Sequence, residues 1–299
     1  METFINVTFA TLRMSAPLIL VAMAGILSQQ VGLLNIALEG LMLVGAFAAV
    51  VAAFFLGSTW GGVLVACLVA TLLAAVFALF VIQLRANLIV AGLAVNFLAL
   101  GATAYLLQVL FNTRGAFAPK GLVSLAPVAI PLLDRVPVLS KILSGHTPLV
   151  YASWLSVALT SVFLYRTALG THIRAVGEHA EAAETAGIPV KRMQYLALLL
   201  GGFLSGLAGA HLSVGDLALF RENMTNGRGF IAMAAVFFGA ARPGLTALAC
   251  LLFGLFEAVQ VRLQTTSNVP PQLPQMLPYL IVVAVLTVIS LRRELRKGW

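Results

Sequence analysis

"VGLLNIALEGLMLVGAFAAVVAAFFLG", residues 31–57, decides the fold class. From Gly40 to Leu56 it carries no charged side chain. A helix needs about 20 apolar residues to cross a hydrocarbon core of about 30 Å, and this run is of that length. Comparable runs recur along the chain. The expected spans are 16–34, 36–56, 61–83, 88–110, 148–165, 195–214, 228–241, 243–263 and 275–291. The run 228–241 is too short for an ordinary crossing. It is expected to be half of a broken or re-entrant helix, which is tolerated only where protein or a watery cavity covers the backbone.

Composition agrees. Of 299 residues, 61% are hydrophobic and 9% charged, and the mean hydropathy is +1.03. A soluble domain carries about 25% charged residues. The sequence therefore predicts an all-α polytopic membrane protein of roughly 8–10 helices, some broken. The net charge of +8 does not point to nucleic acid, because so few charges sit in loops and tail, where topology and lipid head groups account for them. "METFINVTFATLRM" (1–14) lacks the basic start of a signal peptide, and the first span is read as retained. Loop 111–147 is rich in proline, and its stretch "VSLAPVAIPLLDRVPVLSKIL" (123–143) is expected at the interface rather than across the membrane.

Basic residues set the orientation. Arg166, Arg174, Lys191, Arg192, the tail residues Arg292, Arg293, Arg296 and Lys297, and Arg85 and Arg242 fall on one side: ten of the 18. Arg13, Arg114, Lys120, Arg135, Lys141, Arg221, Arg228 and Arg262 fall on the other. The bias places the C-terminus in the cytoplasm and the N-terminus outside.

The most polar stretch, "EHAEAAETAGIPVKR" (178–192), is then cytoplasmic. Gly177 and Gly187 bracket "EHAEAAETA", whose Ala and Glu favour helix. Gly187 is a natural stop, and Ile188-Pro189 prevents continuation. Glu178, Glu181 and Glu184 lie along the helix, while Ala182, Ala183 and Ala186 leave a smooth face. A rod of about 13 Å is too short to be stable alone in water. It needs a docking surface, either on its own chain as a connector or on a cytoplasmic partner.

Polar residues inside the spans mark a candidate path: Asn35, Glu39, Asn96, Gln108, Glu257 and Gln260. Glu39, one turn past Asn35, is either a path or hinge residue or a carboxyl bonded to a neighbouring helix. Asn35 is placed to cap a helix beginning near Gly32. Asn96 reads as an interhelical hydrogen bond, and Glu257 as a partner for Arg262. Cys67 and Cys250 read as small buried hydrophobes. "GGFLSGLAG" (201–209) spaces small residues four apart, which lets helices approach closely. No G-x-x-x-x-G-K-[ST] loop, H-E-x-x-H pair or G-x-S-x-G turn occurs, and His146, His172, His179 and His211 are scattered. Catalysis is unsupported.

Two motifs carry a resemblance. "GTHIRAVGEHAEAAETAGI" (170–188) resembles the cytoplasmic coupling segment of ABC importer permeases, through Gly170, Arg174, Ala175, Gly177, Ala182, Ala183, Gly187 and Ile188. "NIALEG" (35–40) resembles the N-I-G-x-E-G motif of permeases paired with nucleoside-type lipoprotein receptors, Ala37 departing from the usual Gly. The resemblance spans nearly the whole chain and is identified with the branched-chain amino acid, ribose and nucleoside permease superfamily. It implies one transmembrane permease domain over 1–299, with a coupling loop at 166–194, in a bacterial inner membrane. It also implies an ATPase subunit, a second permease subunit (a different chain in the nucleoside branch) and an extracytoplasmic solute-binding protein. No cofactor is expected on this chain, ATP being bound by the partner. Gly177, Glu178, Glu181, Ala182, Ala183, Gly187 and Ile188 would meet the ATPase. Asn35, Glu39 and Asn96 would line the path or act as a hinge. The solute expected is a nucleoside, with branched-chain amino acid or sugar as the alternative. An ion-coupled secondary transporter would need Glu39 as its coupling group.

Overall fold

The computed structural model describes residues 2–129, 137–266 and 287. The expected span 275–291, Thr287 apart, and the basic tail lie outside the described residues. The described chain is helical: α1 (Glu2–Gln29), α2 (Leu38–Leu56), α3 (Thr59–Ala78, extended by a π turn, Leu79–Gln83) and α4 (Leu88–Phe111). There follow β1 (Ala116–Phe117), α5 (Pro137–Leu143), α6 (Pro148–Arg166), α7 (Ala168–Glu178), α8 (Ala180–Thr185) and α9 (Val190–Ala210, extended by a π turn, His211–Leu217). The described part closes with β2 (Phe220–Arg221), α10 (Arg228–Phe238) and α11 (Pro243–Thr266). Among the described residues, α1, α2, α3, α4, α6, α9 and α11 are long and apolar enough to cross a membrane. The predicted half-helix at 228–241 is α10, with 11 residues, about 16 Å of helix. α5 has 7 residues and is too short to cross. β1 and β2 pair antiparallel, Ala116 opposite Arg221.

α1 starts well before the expected residue 16 and runs through the middle of the bundle. Ile19 to Ala24 are all 0% exposed, packed by α6, α9, α10 and α11. α4 is the opposite case: Phe97, Leu98, Tyr105 and Val109 are exposed, facing what would be lipid or a neighbouring subunit. Lipid tails are as apolar as leucine, so close packing must hold the helices together. The small-residue run on α9 supplies it. A Cβ on Gly206 would stand 2.7 Å from the Ala66 carbonyl oxygen and from Cys67 Cα, so α9 reaches α3 only because residue 206 is glycine. Cys67 and Cys250 are buried and unpaired.

α1 ends in a left-handed turn. Gly32 has φ +76, Leu33 N–H donates to the Ser28 carbonyl at 3.0 Å and Gly32 N–H to that of Gln29 at 3.0 Å, the pairing that closes a helix C-terminus. Gln30 Nε2 donates to the Ala241 carbonyl at 3.2 Å, so the ends of α1 and α10 meet on one side. Arg262 on α11 bonds Thr3 at the other side.

Candidate functional site

α2 begins after an unwound stretch, Gly32 to Ala37. Asn35 does not cap a helix at Gly32. Its Oδ1 accepts from Ala37 N–H at 3.0 Å, and the helix starts at Leu38. Asn96 on α4 completes this start from another element. Its Oδ1 accepts from Gly40 N–H at 2.8 Å and its Nδ2 donates to the Ile36 carbonyl at 2.9 Å. The Gly40 N–H is one of the donors that a helix N-terminus leaves without an intrahelical partner. The expected interhelical hydrogen bond is therefore present and doubled.

Glu39 does the same for α10. One carboxylate oxygen accepts from Gly227 N–H at 2.8 Å, the other from Gly229 N–H at 2.6 Å. The carboxylate thus lies at the positive ends of two helices at once, its own and the half-helix, where negative charge is favoured. Gly229 makes the approach possible: a Cβ there would stand 2.6 Å from Glu39 N. Arg228, between the two glycines, pairs with Glu257 on α11. This corrects the expected Glu257–Arg262 pair. Five residues along a helix turn the side chains about 140° apart, and Arg262 bonds Thr3 instead.

Above α10, on the Thr3 side, lies a cavity of about 370 Å³ lined by Arg13, Pro17, Asp216, Arg221, Met224 and Arg228 among others. Sequence reading placed Arg13 and Arg228 among loop cations and gave the cavity no residue. Its construction follows from Pro17. Proline has no N–H, so the Arg13 carbonyl four residues back loses its helical donor. His211 Nε2, in the π turn of α9, lies 3.4 Å from that oxygen and 3.8 Å from Asp216. π turns concentrate at functional sites; the signal available beforehand was a proline inside a span opposite a histidine inside another.

The reading of residues 177–188 is also corrected. Gly177 does not start a helix. α7 runs from Ala168 through Glu178, and the break falls at His179, whose backbone is extended (φ −154, ψ 93). α8 follows with 6 residues. Gly177 instead presses against the Gln30–Gly32 backbone at the end of α1. The left-handed stop at Gly187 is present at φ +82. Ile188 N–H donates to the Ala183 carbonyl at 2.9 Å and Gly187 N–H to that of Glu184 at 2.9 Å, the same closure as on α1. Ala183 is 4% exposed and packs into the core, so it is not part of a free face. Glu178, Glu181, Ala182 and Glu184 are exposed, and no ion pair engages the three acids among the described residues. Ile188 is half-buried against the core. Arg174 lies over the Tyr165 ring, 5.3 Å from its centroid.

A multi-pass helical membrane protein with a capped half-helix beside a cavity of mixed apolar and charged lining, and a docked amphipathic segment on the far side, has the make-up of a solute-translocating subunit. The family model described as "Branched-chain amino acid transport system / permease component" matches residues 7–286, and the chain belongs to that family. Among its relatives is the putative glucose ABC transporter permease protein TsgC13 of Haloferax volcanii, 33% identical over 95% of this chain and 92% of the relative. The guanosine ABC transporter permease protein NupQ of Bacillus subtilis is 35% identical over 93% and 90%. The nucleoside ABC transporter permease protein NupC of Lactococcus lactis is 34% identical over 91% and 88%. No solved structure matches the chain.

Proposed function

We propose that this chain is the permease subunit of an ABC importer for a nucleoside, forming half of the translocation path while a separate subunit hydrolyses ATP. The observation that carries the reading is the α7–α8 segment. It is docked on α6 and α9, with Ile173, Val176 and Ala183 buried, yet turns Glu178, Glu181, Ala182 and Glu184 outward. A transport subunit that takes its energy from a partner needs such a contact, and a motion imposed here reaches α1 through Gly177. Glucose relatives leave a sugar as the alternative; the "NIALEG" motif, together with the likeness to guanosine and nucleoside permeases, favours the nucleoside. The assembly has two permease subunits, two ATPase subunits and an extracytoplasmic receptor, in a bacterial inner membrane. The α7–α8 segment and the C-terminus are cytoplasmic, and the cavity opens outward.

The test is transport. Proteoliposomes holding the co-purified assembly and receptor should accumulate radiolabelled guanosine or adenosine in an ATP-dependent way, and glucose or leucine no faster than empty vesicles. ATP-driven glucose uptake without nucleoside uptake would select the sugar reading. Uptake without ATP, driven by a proton gradient, would overturn the importer.

A further inference from the structure

We infer that the cavity beside α10 is a purine-nucleoside site on the permease itself, in which Asp216 takes ribose hydroxyls and Arg13 and Arg221 take acceptor atoms of the base. The inference rests on the nucleoside reading above. A volume of about 370 Å³ is within the usual range of small-molecule pockets. The charges that line or adjoin it divide into two groups. Arg228 is taken by Glu257, Glu222 by the Gly115 N–H at 2.8 Å and Glu39 by α10. Arg13, Asp216 and Arg221 line the cavity, and no side-chain hydrogen bond engages them among the described residues. Asp216 has only the 3.8 Å approach of His211.

Two unspent guanidinium forks and one unspent carboxylate form a specific donor and acceptor set. A carboxylate accepts from ribose hydroxyls, as in dinucleotide sites. A guanidinium is the usual bidentate donor to the O6 and N7 acceptors of guanine and stacks on aromatic planes. Met14 and Met224, also in the lining, offer adaptable thioether contacts to a flat base. A hexose would satisfy Asp216 but gives the paired forks no planar acceptor edge. A phosphate would satisfy the arginines but be repelled by Asp216. Arg228, in the first turn of α10, lines the cavity, so a solute held there touches the half-helix that Glu39 clamps.

The receptor also selects solute, so binding is measured without it. The permease–ATPase assembly in nanodiscs is titrated with radiolabelled guanosine, 2′,3′-dideoxyguanosine and guanosine 5′-monophosphate, with receptor-dependent guanosine uptake followed in parallel. Wild type should bind guanosine saturably and more tightly than the dideoxy compound. Asp216→Asn should weaken guanosine about tenfold, the loss of one charge-assisted hydrogen bond, and leave the dideoxy affinity within about twofold. Asp216→Glu should keep the preference for ribose, which a merely misfolded site would not. Arg221→Gln should weaken both compounds. Absence of saturable binding in an assembly that transports guanosine sinks this inference alone, as does equal loss of both compounds in Asp216→Asn or tighter binding of the monophosphate. Asp216→Asn weakening receptor capture with nucleoside binding intact would assign the cavity to receptor docking and overturn the inference. A wild-type assembly that transports no nucleoside sinks this site and the nucleoside reading together.

Discussion

Glu39 holds two backbone N–H groups at the start of the half-helix, beside the Arg228–Glu257 pair that ties it to α11. Glu39→Gln keeps one acceptor oxygen and turns an amide NH₂ toward the second N–H, so one hydrogen bond survives. Glu39→Leu leaves the Gly227 and Gly229 N–H groups unpaired, each costing about 1–3 kcal/mol when buried. ATP-driven uptake should therefore fall partly in the glutamine variant and be lost in the leucine variant, with the detergent melting temperature ranked wild type, Gln, Leu. A glutamine variant as inactive as the leucine one, with unchanged melting temperature, would move Glu39 from clamp to ion-coupling group. The sequence made Glu39 and Asn96 legible because a polar side chain inside an apolar span must find a partner. It could not name Glu39's partner, which is 188 residues away in sequence at the end of a helix that no periodicity delimits. The mistaken Glu257–Arg262 pairing has the same root: proximity along the chain was read without the turn of the helix, and the true partner, Arg228, was read as a loop cation.

At the scale of the element, the α7–α8 segment separates two alanines that composition treats alike. Ala183 faces the core at 4% exposure and Ala182 faces out. Ala183→Arg would bury a charge with no counter-ion and overfill a packed contact, a destabilisation of about 3 kcal/mol or more, so the variant should be scarce in membranes. Ala182→Arg leaves the fold intact and places a bulky cation on the exposed acidic face. Its membrane abundance, read by quantitative blot, should be near wild type. Co-purification of the ATPase and receptor-stimulated ATP hydrolysis should drop about tenfold or more, the equivalent of roughly 1.4 kcal/mol at an interface. Full ATPase association in Ala182→Arg would reduce the segment to a connector. The stop at Gly187 was legible because a left-handed residue before Ile-Pro has one conformational reading. The break at His179 was not, because Ala and Glu favour helix on both sides of it. Tertiary contact sets it: Ile173 and Val176 dock α7 on the bundle, Gly177 meets the end of α1, and the chain must turn there to lay Ala183 back on the core.

On the scale of the whole molecule, the contacts make the crossings alternate. α1 runs from the Thr3–Arg262 side to the side where Gly177 meets Gln30, and α2, α3, α4, α6 and α9 alternate between them. Residues 218–227 with α10 complete one further crossing, because Ala241 returns to Gln30; α11 goes back to Thr3. The expected last span, 275–291, lies outside the described residues; basic-residue counting puts the C-terminus on the side of the α7–α8 segment. In a background with Cys67 and Cys250 replaced by alanine, single cysteines at Ser58, Glu181 and Gly298 probe this directly. Ser58, at the turn between α2 and α3, should react with an impermeant maleimide in intact spheroplasts, while Glu181→Cys and Gly298→Cys should react only after permeabilisation. Reaction of Glu181→Cys from outside would invert the molecule and remove the ATPase contact from the α7–α8 segment. Reaction of Gly298→Cys alone would break the alternation after α11 and leave the rest of the topology standing.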